Sequence, residues 1–488
     1  LIATQNPLTG RFSQKRQFLS QKFRSRFQTI TFVDIKEDEL FEIAMGLAKN
    51  LPNSEDTIRK LIKFHFDWKK RSEDENQIHV FTIREISGTI KSMKEGLSPF
   101  ESILIHYGSR YDTNKLEQMS QILESIGINR TDSSLTLPKY NQDLFYLTNS
   151  LQRSLLNSTH LLQTCHPILI TGPDGCGKTS FARWIANIYN SQANNYLVKE
   201  GEKDDELNEQ KQMPKTIKKS KNPELFDTDD VTQPNYKSKN SKKTKQKPTS
   251  KKTQTSRQNN GQNTTNVFIC NPEVSISDII GRYTPIMSES GKAPIQWIDG
   301  PVVSSLRKGD CLIMDQIDTA PSTILERLNS LYDNFGIKDA KFPVQENSEE
   351  ESVPIHPNFR IIATSSYEGL SDISPALLNR FTIIYVDDQL IELFNDKNKL
   401  VQFIQHLSPS SPQRSDIKLI ANEIKDREKM TISRISMIVK GFFSIKNTFP
   451  QALSKSVLDF CVSATSTSVD LPIMDSDLVS ILLSSLRE

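Results

Sequence analysis

The sequence predicts an α/β protein of two similar modules, each a parallel sheet with helices on both faces followed by a helical lid. Three observations predict it. The stretch "ILITGPDGCGKTSFARWIA" (Ile168 to Ala186) carries G-x-x-x-x-G-K-[ST], the phosphate-binding loop, between an apolar run and a helix-like run. Apolar runs then alternate with helical patterns up to Val386, which argues a parallel sheet covered on both faces. The third observation is an internal repeat. "LIATQNP…KFRSRFQTITFVDI" (Leu1 to Ile35) and "RIIATSSYEG…ALLNRFTIIYVDD" (Arg360 to Asp388) both read strand, Ala-Thr, loop, short helix ending in Arg-Phe, strand, acid. "VFTIREISGTIKSM" (Val80 to Met93) likewise resembles "KMTISRISMIVKGF" (Lys429 to Phe442). These landmarks recur at 350–360 residues, far too long for a solenoid.

The chain therefore reads as the tail of one module, truncated at its N-terminus, and nearly all of the next. Residues 1–35 end the α/β core of the first module, and 36–145 form its lid. Residues 146–198 and 267–388 form the second core, and 389–488 its lid. In order, strands are expected at Ile168–Ile170, Val267–Cys270, Cys311–Met314, Phe359–Ala363 and Thr382–Val386, with helices over Ser180–Asn190 and Pro321–Tyr332. Segment 199–266 breaks the pattern. From Lys237 to Asn266 it has no Ala, Val, Ile, Leu, Met, aromatic or Cys residue, and eight of the sixteen residues Lys237–Lys252 are lysine. Such a segment cannot bury enough surface to offset its ordering entropy, so disorder is expected. It reads as a nuclear-import signal or an RNA-touching arm, against the plainer reading of a solvated loop tip.

Composition adds limits. Net charge is +2, with 36% hydrophobic and 25% charged residues, so no global bias toward nucleic acid or membrane is visible. No run approaches a membrane span. Five cysteines are scattered without a C-x-x-C pair, which points to a reducing compartment and no zinc site. The chain begins at Leu1 inside a strand-like run, as a piece cut from a longer protein would.

The chemistry follows from the loop. Gly172, Gly175 and Gly177, with Pro173, Asp174 and Cys176 between them, can turn backbone N–H groups onto phosphates, and the next helix, entered through Ser180, points its positive end at the same anion. Lys178 would reach the β- and γ-phosphates of ATP. Thr179 would hold Mg²⁺, sharing it with Asp315 at the end of "CLIMD". Cys176, at a helix N-terminus, should have a lowered thiol pKa and alkylate first. Gln316 follows Asp315 where a glutamate would serve as base; glutamine can orient water but cannot take its proton. Asp318 is a possible substitute base, with its three-residue separation against it. The polar residue after the Ala-Thr strand helps position water: Asn6 in the first module, Ser366 in the second. Arg26 and Arg380 close short helices and suit a finger toward a neighbour's γ-phosphate, against a plain surface salt bridge. Arg84 and Arg434, on lid helices, could reach phosphate from above. His356 reads as a turn residue.

At these residues the chain resembles the midasin family of giant AAA+ ATPases. The matching stretches are "ATQNP" with "FRSRF", "GPDGCGKT", "SDIIGRYTP", "IQWIDGPVVSSLRKGDCLIMDQIDTAP", "ERLNSLYDNFG" and "HPNFRIIAT". The resemblance implies fused AAA+ modules in one ring. It implies ATP-driven release of assembly factors from pre-60S ribosomal particles, in the nucleolus and nucleoplasm, as chaperone-like remodelling. In such rings a site's finger comes from the module after it, so Arg380 would serve the first module. Gln316, Ser366 and the lysine-rich segment depart from the pattern, and predict nucleotide binding with weak hydrolysis. Two other readings stand beside it: a nucleotide-clamped structural module, and a dynein-like motor segment, which the lack of a heptad stalk disfavours. An RNA-binding role lacks aromatic stacking residues near the lysines.

Overall fold

The computed structural model describes residues 20–31, 35–52, 54–74, 81–130, 135–138, 146–192, 264–285, 295–386, 389–408, 412–425, 430–448, 450 and 453–467. Asn6 and nearly all of the lysine-rich segment lie outside the described residues.

Five short apolar segments form one parallel sheet. They are β1 (Ile168–Thr171), β2 (Thr265–Ile269), β5 (Cys311–Asp315), β8 (Arg360–Thr364) and β9 (Thr382–Tyr385), in the order β2-β5-β8-β1-β9. Period-two alternation splits their side chains between two cores. Leu169, Leu312, Met314, Ile361, Ala363 and Ile383 join one, with the helices Pro301–Lys308, Ser322–Arg327 and Asn329–Asp333. Ile168, Ile170, Cys311, Ile313, Ile362 and Ile384 join the other, with the helix Asn149–Gln163 and the helix over 178–192. Burial on both faces is why β1, β5, β8 and β9 read as apolar runs, while β2 at the sheet's edge is only partly buried.

Several expectations need correcting. Thr265 and Asn266 belong to β2, not to the insertion, because their backbones pair with Cys311 and Leu312. The helix expected over Pro321–Tyr332 breaks at Leu328 into two pieces. Two hairpins were not expected. One joins β3 (Gly281–Pro285) and β4 (Ile295–Asp299); the other joins β6 (Lys341–Pro343) and β7 (Ser352–Pro354). They are short, and Ile295 and Ile298 are exposed, so they lack an alternating buried face to announce them.

Both lids are helical among the described residues. The first runs from Glu37–Leu47 through Ser54–Asp74, Ile83–Lys94 and Pro99–Ile103 to Thr113–Ser125. It docks on the following core. Leu97 and Ile105 join the P-loop-side core, Tyr385 N–H donates to Ser109 O at 2.7 Å, and Ser109 Oγ donates to Ile383 O at 2.9 Å. The second lid comprises Gln389–Asn395, Lys397–Leu407, Arg414–Lys425, Ile432–Thr448 and Ser454–Thr467 around its own apolar core. No described helix is long and apolar enough to cross a membrane.

Candidate functional site

The P-loop leaves β1 at Thr171 and enters the helix over 178–192. Gly175 (φ +73°) and Gly177 (φ +93°) take left-handed conformations that a side chain would strain. Gly175 is needed for a second reason: a Cβ there would meet Thr431 of the second lid at 2.7 Å. The lid helix Ile432–Thr448 thus begins on the loop, where Ser433 N–H donates to Gly175 O at 3.2 Å. Lys178 Nζ folds back on the carbonyls of Gly172 and Pro173, both at 2.9 Å, with Asp174 farther at 3.5 Å. Ser180 is exposed, in the first turn of that helix.

The decisive contact joins the loop to β5. Thr179 Oγ1 donates to Asp315 Oδ1 at 2.7 Å, across 136 residues of chain. Thr364, at the end of β8, donates to the same oxygen at 2.6 Å, and its own oxygen accepts from Gln316 N–H at 2.9 Å. A carboxylate with a hydroxyl beside it fits Mg²⁺, which keeps several waters and takes one or two protein oxygens. Thr364 was not singled out from sequence; the signal was its recurrence in both Ala-Thr repeats.

Gln316 sits at φ +56°, ψ +54°, a left-handed conformation for a residue with a side chain, and is exposed. The hydroxyl protons at the end of β8 and just past it are committed. Thr364 donates to Asp315, Ser365 to Ser366 O at 2.9 Å, and Ser366 to Asp318 at 2.8 Å. Asp318 is therefore not remote: the turn Ile317–Thr319 brings it to Ser366.

Other expected residues fall elsewhere. Cys176 is 2% exposed and packs in the core, so burial, not the helix end, governs its access; Cys165 is the one cysteine that is only partly buried. Arg434 lies one residue past the P-loop contact, its N–H donating to Thr431 Oγ1 at 3.1 Å. His356 is a turn residue, its Nδ1 accepting from Asn358 N–H. Arg26 is exposed just after the helix Gln21–Arg24.

Arg380 and Arg84 meet although 296 positions separate them in the sequence. Arg380 makes a two-pronged pair with Asp333, at 2.9 and 2.7 Å, and Arg84 of the first lid reaches the same carboxylate at 3.3 Å. They line a cavity of about 250 Å³ between the first lid and the second core, with Lys91 and Arg110 among its other cations.

Residues 251–381 match the family described as AAA domain, dynein-related subfamily. The second α/β unit is an AAA+ domain. The match spans β2 to Arg380 and leaves out the P-loop, which the inserted segment separates from it. A stretch of 132 residues is 31% identical to midasin of Dictyostelium discoideum, covering 26% of this chain and 2% of that protein. An uncharacterized protein of Staphylococcus epidermidis is 30% identical over 146 residues, 28% of this chain and 53% of that protein. One of Staphylococcus haemolyticus is 29% identical over 180 residues, 36% and 62% respectively. The chain thus spans about half the length of these bacterial relatives and a small fraction of the midasin. NtrX from Brucella abortus, solved in complex with ADP, aligns at 14% identity and a TM-score of 0.36 over 77% of this chain and 69% of its own. AAA+ domains are nucleotide-binding ATPase modules in general.

Proposed function

We propose that the Lys178 site binds Mg·ATP and turns it over slowly, as one nucleotide site in a series of fused AAA+ modules. The observation that carries this is the Thr179–Asp315 contact at 2.7 Å, which builds a phosphate-and-metal corner from two distant segments. Weak turnover is supported by Gln316, which offers no carboxylate base, and by the committed hydroxyl donors after β8. General-base loss alone typically costs about 10²–10⁴ in rate. The test is calorimetry with Lys178→Ala. The unaltered chain should bind Mg·ATP and the variant should not; equal binding by both would end the assignment.

The wider role we propose is that of a midasin-like remodelling ATPase, whose cycle releases assembly factors from pre-60S particles in the nucleus, its modules partnering one another within the chain. The 31% identical stretch supports it. A second reading, a nucleotide-clamped structural module, is favoured by the committed donors. Turnover separates the two. Gln316→Glu in a longer chain that supplies the following module's finger should raise hydrolysis under the first reading and leave it flat under the second.

A further inference from the structure

Asp318 lies on the turn Ile317–Thr319, just past the strand that presents Asp315. Its Oδ2 accepts from the Ser366 hydroxyl at 2.8 Å and from Ser366 N–H at 3.4 Å. Ser366 Oγ in turn accepts from Gly369 N–H at 2.9 Å. The fit depends on Gly369. A Cβ there would collide with the Asp318 carboxylate and lie 2.6 Å from Ser366 Oγ. The other carboxylate oxygen, Oδ1, is buried without a hydrogen-bond partner among the described residues.

A tie between two loops needs only an acceptor, which a neutral asparagine would supply. Burying one oxygen of a charged group unmet is costly, so the charge itself calls for an explanation. Its location supplies one. Ser365 N–H donates to Ile170 O at 3.0 Å, two residues before Gly172, so the loop that grips Asp318 is fixed to the strand that feeds the P-loop. Thr364, two residues before Ser366, holds Asp315.

We propose that Asp318 is a specificity-determining residue of the Lys178 site. It takes the Ser366 donor and fixes a negative charge at the end of the sheet where a terminal phosphate would lie, so the site favours a nucleoside diphosphate over a triphosphate. The proposal rests on the nucleotide-binding reading above. Removing a like charge beside a phosphate, in partly screened surroundings, should change affinity by roughly 5–20-fold.

The experiment is calorimetric titration of the full chain with ADP and with a non-hydrolysable ATP analogue, both with Mg²⁺. Asp318→Asn keeps an acceptor for Ser366 and removes the charge; Asp318→Ala also frees the hydroxyl. Both should raise analogue affinity relative to ADP by roughly 5–20-fold. An unchanged or lower ratio, with ADP still bound, overturns the proposal and leaves the nucleotide reading intact. Failure of the unaltered chain to bind either nucleotide overturns both. Thermal melting without nucleotide confirms folding, and should Asp318→Ala not fold, the near-isosteric Asp318→Asn decides.

Discussion

The two lids begin alike and end up doing different things. Each has a helix capped by threonine: Thr82 Oγ1 accepts from Arg84 N–H, and Thr431 Oγ1 from Arg434 N–H. Aligned on those caps, Arg84 corresponds to Ser433, and Glu85 to Arg434. Arg84 reaches across to Asp333 of the next core, while Ser433 touches the P-loop of its own module. One position on a helix turns a side chain by about 100°, so pairing Arg84 with Arg434 by residue type alone misjudges which way each points. Their interiors differ too. The first lid buries His65, Thr89, Ser92, Glu101, His106 and Arg110, whereas the buried polar residues described in the second lid are Asp416 and Thr465. Some of the first lid's polar groups pair within it, as His65 does with Tyr107 and Arg110 with Glu85, and one reaches the neighbouring core: Ser92 Oγ sits 2.9 Å from both His106 Nε2 and His160 Nε2.

The largest effect should come from the arginine side of this contrast. In a longer chain carrying the first module's P-loop, Arg380→Ala should lower turnover at that site by about 10³ or more, the usual cost of a lost finger. Steady-state ATPase rates check it. A loss under tenfold would return Arg380 to the plain salt-bridge reading.

Acid should separate the lids next. Burial holds His65 down to about 4, with Lys69 adding to it, and holds His166 down to about 3, with Lys91 and His160 adding. His106 and His160 are lowered mainly by burial as well. Since the folded values lie below the ordinary 6.5, the unfolded chain takes up protons first. Stability is full above about pH 6.5 and is lost as pH falls toward 3–4, by about 1–2 kcal/mol each for His65 and His166 at pH 5. The second lid's stretch contains one histidine, His406. Hydrogen exchange at pH 5 should therefore show the helices of the first lid and Asn149–Gln163 opening before Ile432–Thr448. Equal opening would break the contrast.

Ser433→Arg sharpens it further, by giving the second lid the residue that the first has at the same cap position. A cation placed on the P-loop should tighten Mg·ATP about 3–10-fold by calorimetry. No change would mean that the loop contact at Gly175 does not face the phosphates.

Much of this was legible in the sequence, for identifiable reasons. The P-loop and the five sheet strands announce themselves because a fixed glycine spacing and buried apolar runs have no other common use. Thr179 with Asp315, and Gln316 and Ser366 beside them, were readable from that frame. What stayed hidden was pairing. Asp318 was set aside because three residues looked too far from Asp315, yet the turn Ile317–Thr319 carries it to Ser366. Asp333 lies inside the matched stretch "ERLNSLYDNFG", but nothing there marks it for a role. Its meaning comes from two arginines brought to it by tertiary structure, and spacing cannot show that.

Asp333 also yields the smallest predicted effect. Arg84 and Asp333 have side chains 47% and 43% exposed, and exposed ion pairs are worth about 0–1 kcal/mol. Arg380 is better covered at 16%, but it keeps another partner, donating to Ala376 O at 2.6 Å. Asp333→Ala should therefore cost little, a fall in melting temperature of no more than about 3 °C for a chain of this size. The carboxylate would then be a resting place for two arginines and not the tie that holds the lid down. That work falls to the apolar contacts of Leu97 and Ile105, the backbone bond from Tyr385 to Ser109 and the bond from the Ser109 hydroxyl to Ile383. Thermal melting of Asp333→Ala beside Ile105→Ala decides it. The cavity left by the isoleucine should cost about 2–5 kcal/mol, several times more than the lost charge. If Asp333→Ala proves the more damaging, the arginine cluster is structural and the first lid has no arginine to spare for a phosphate.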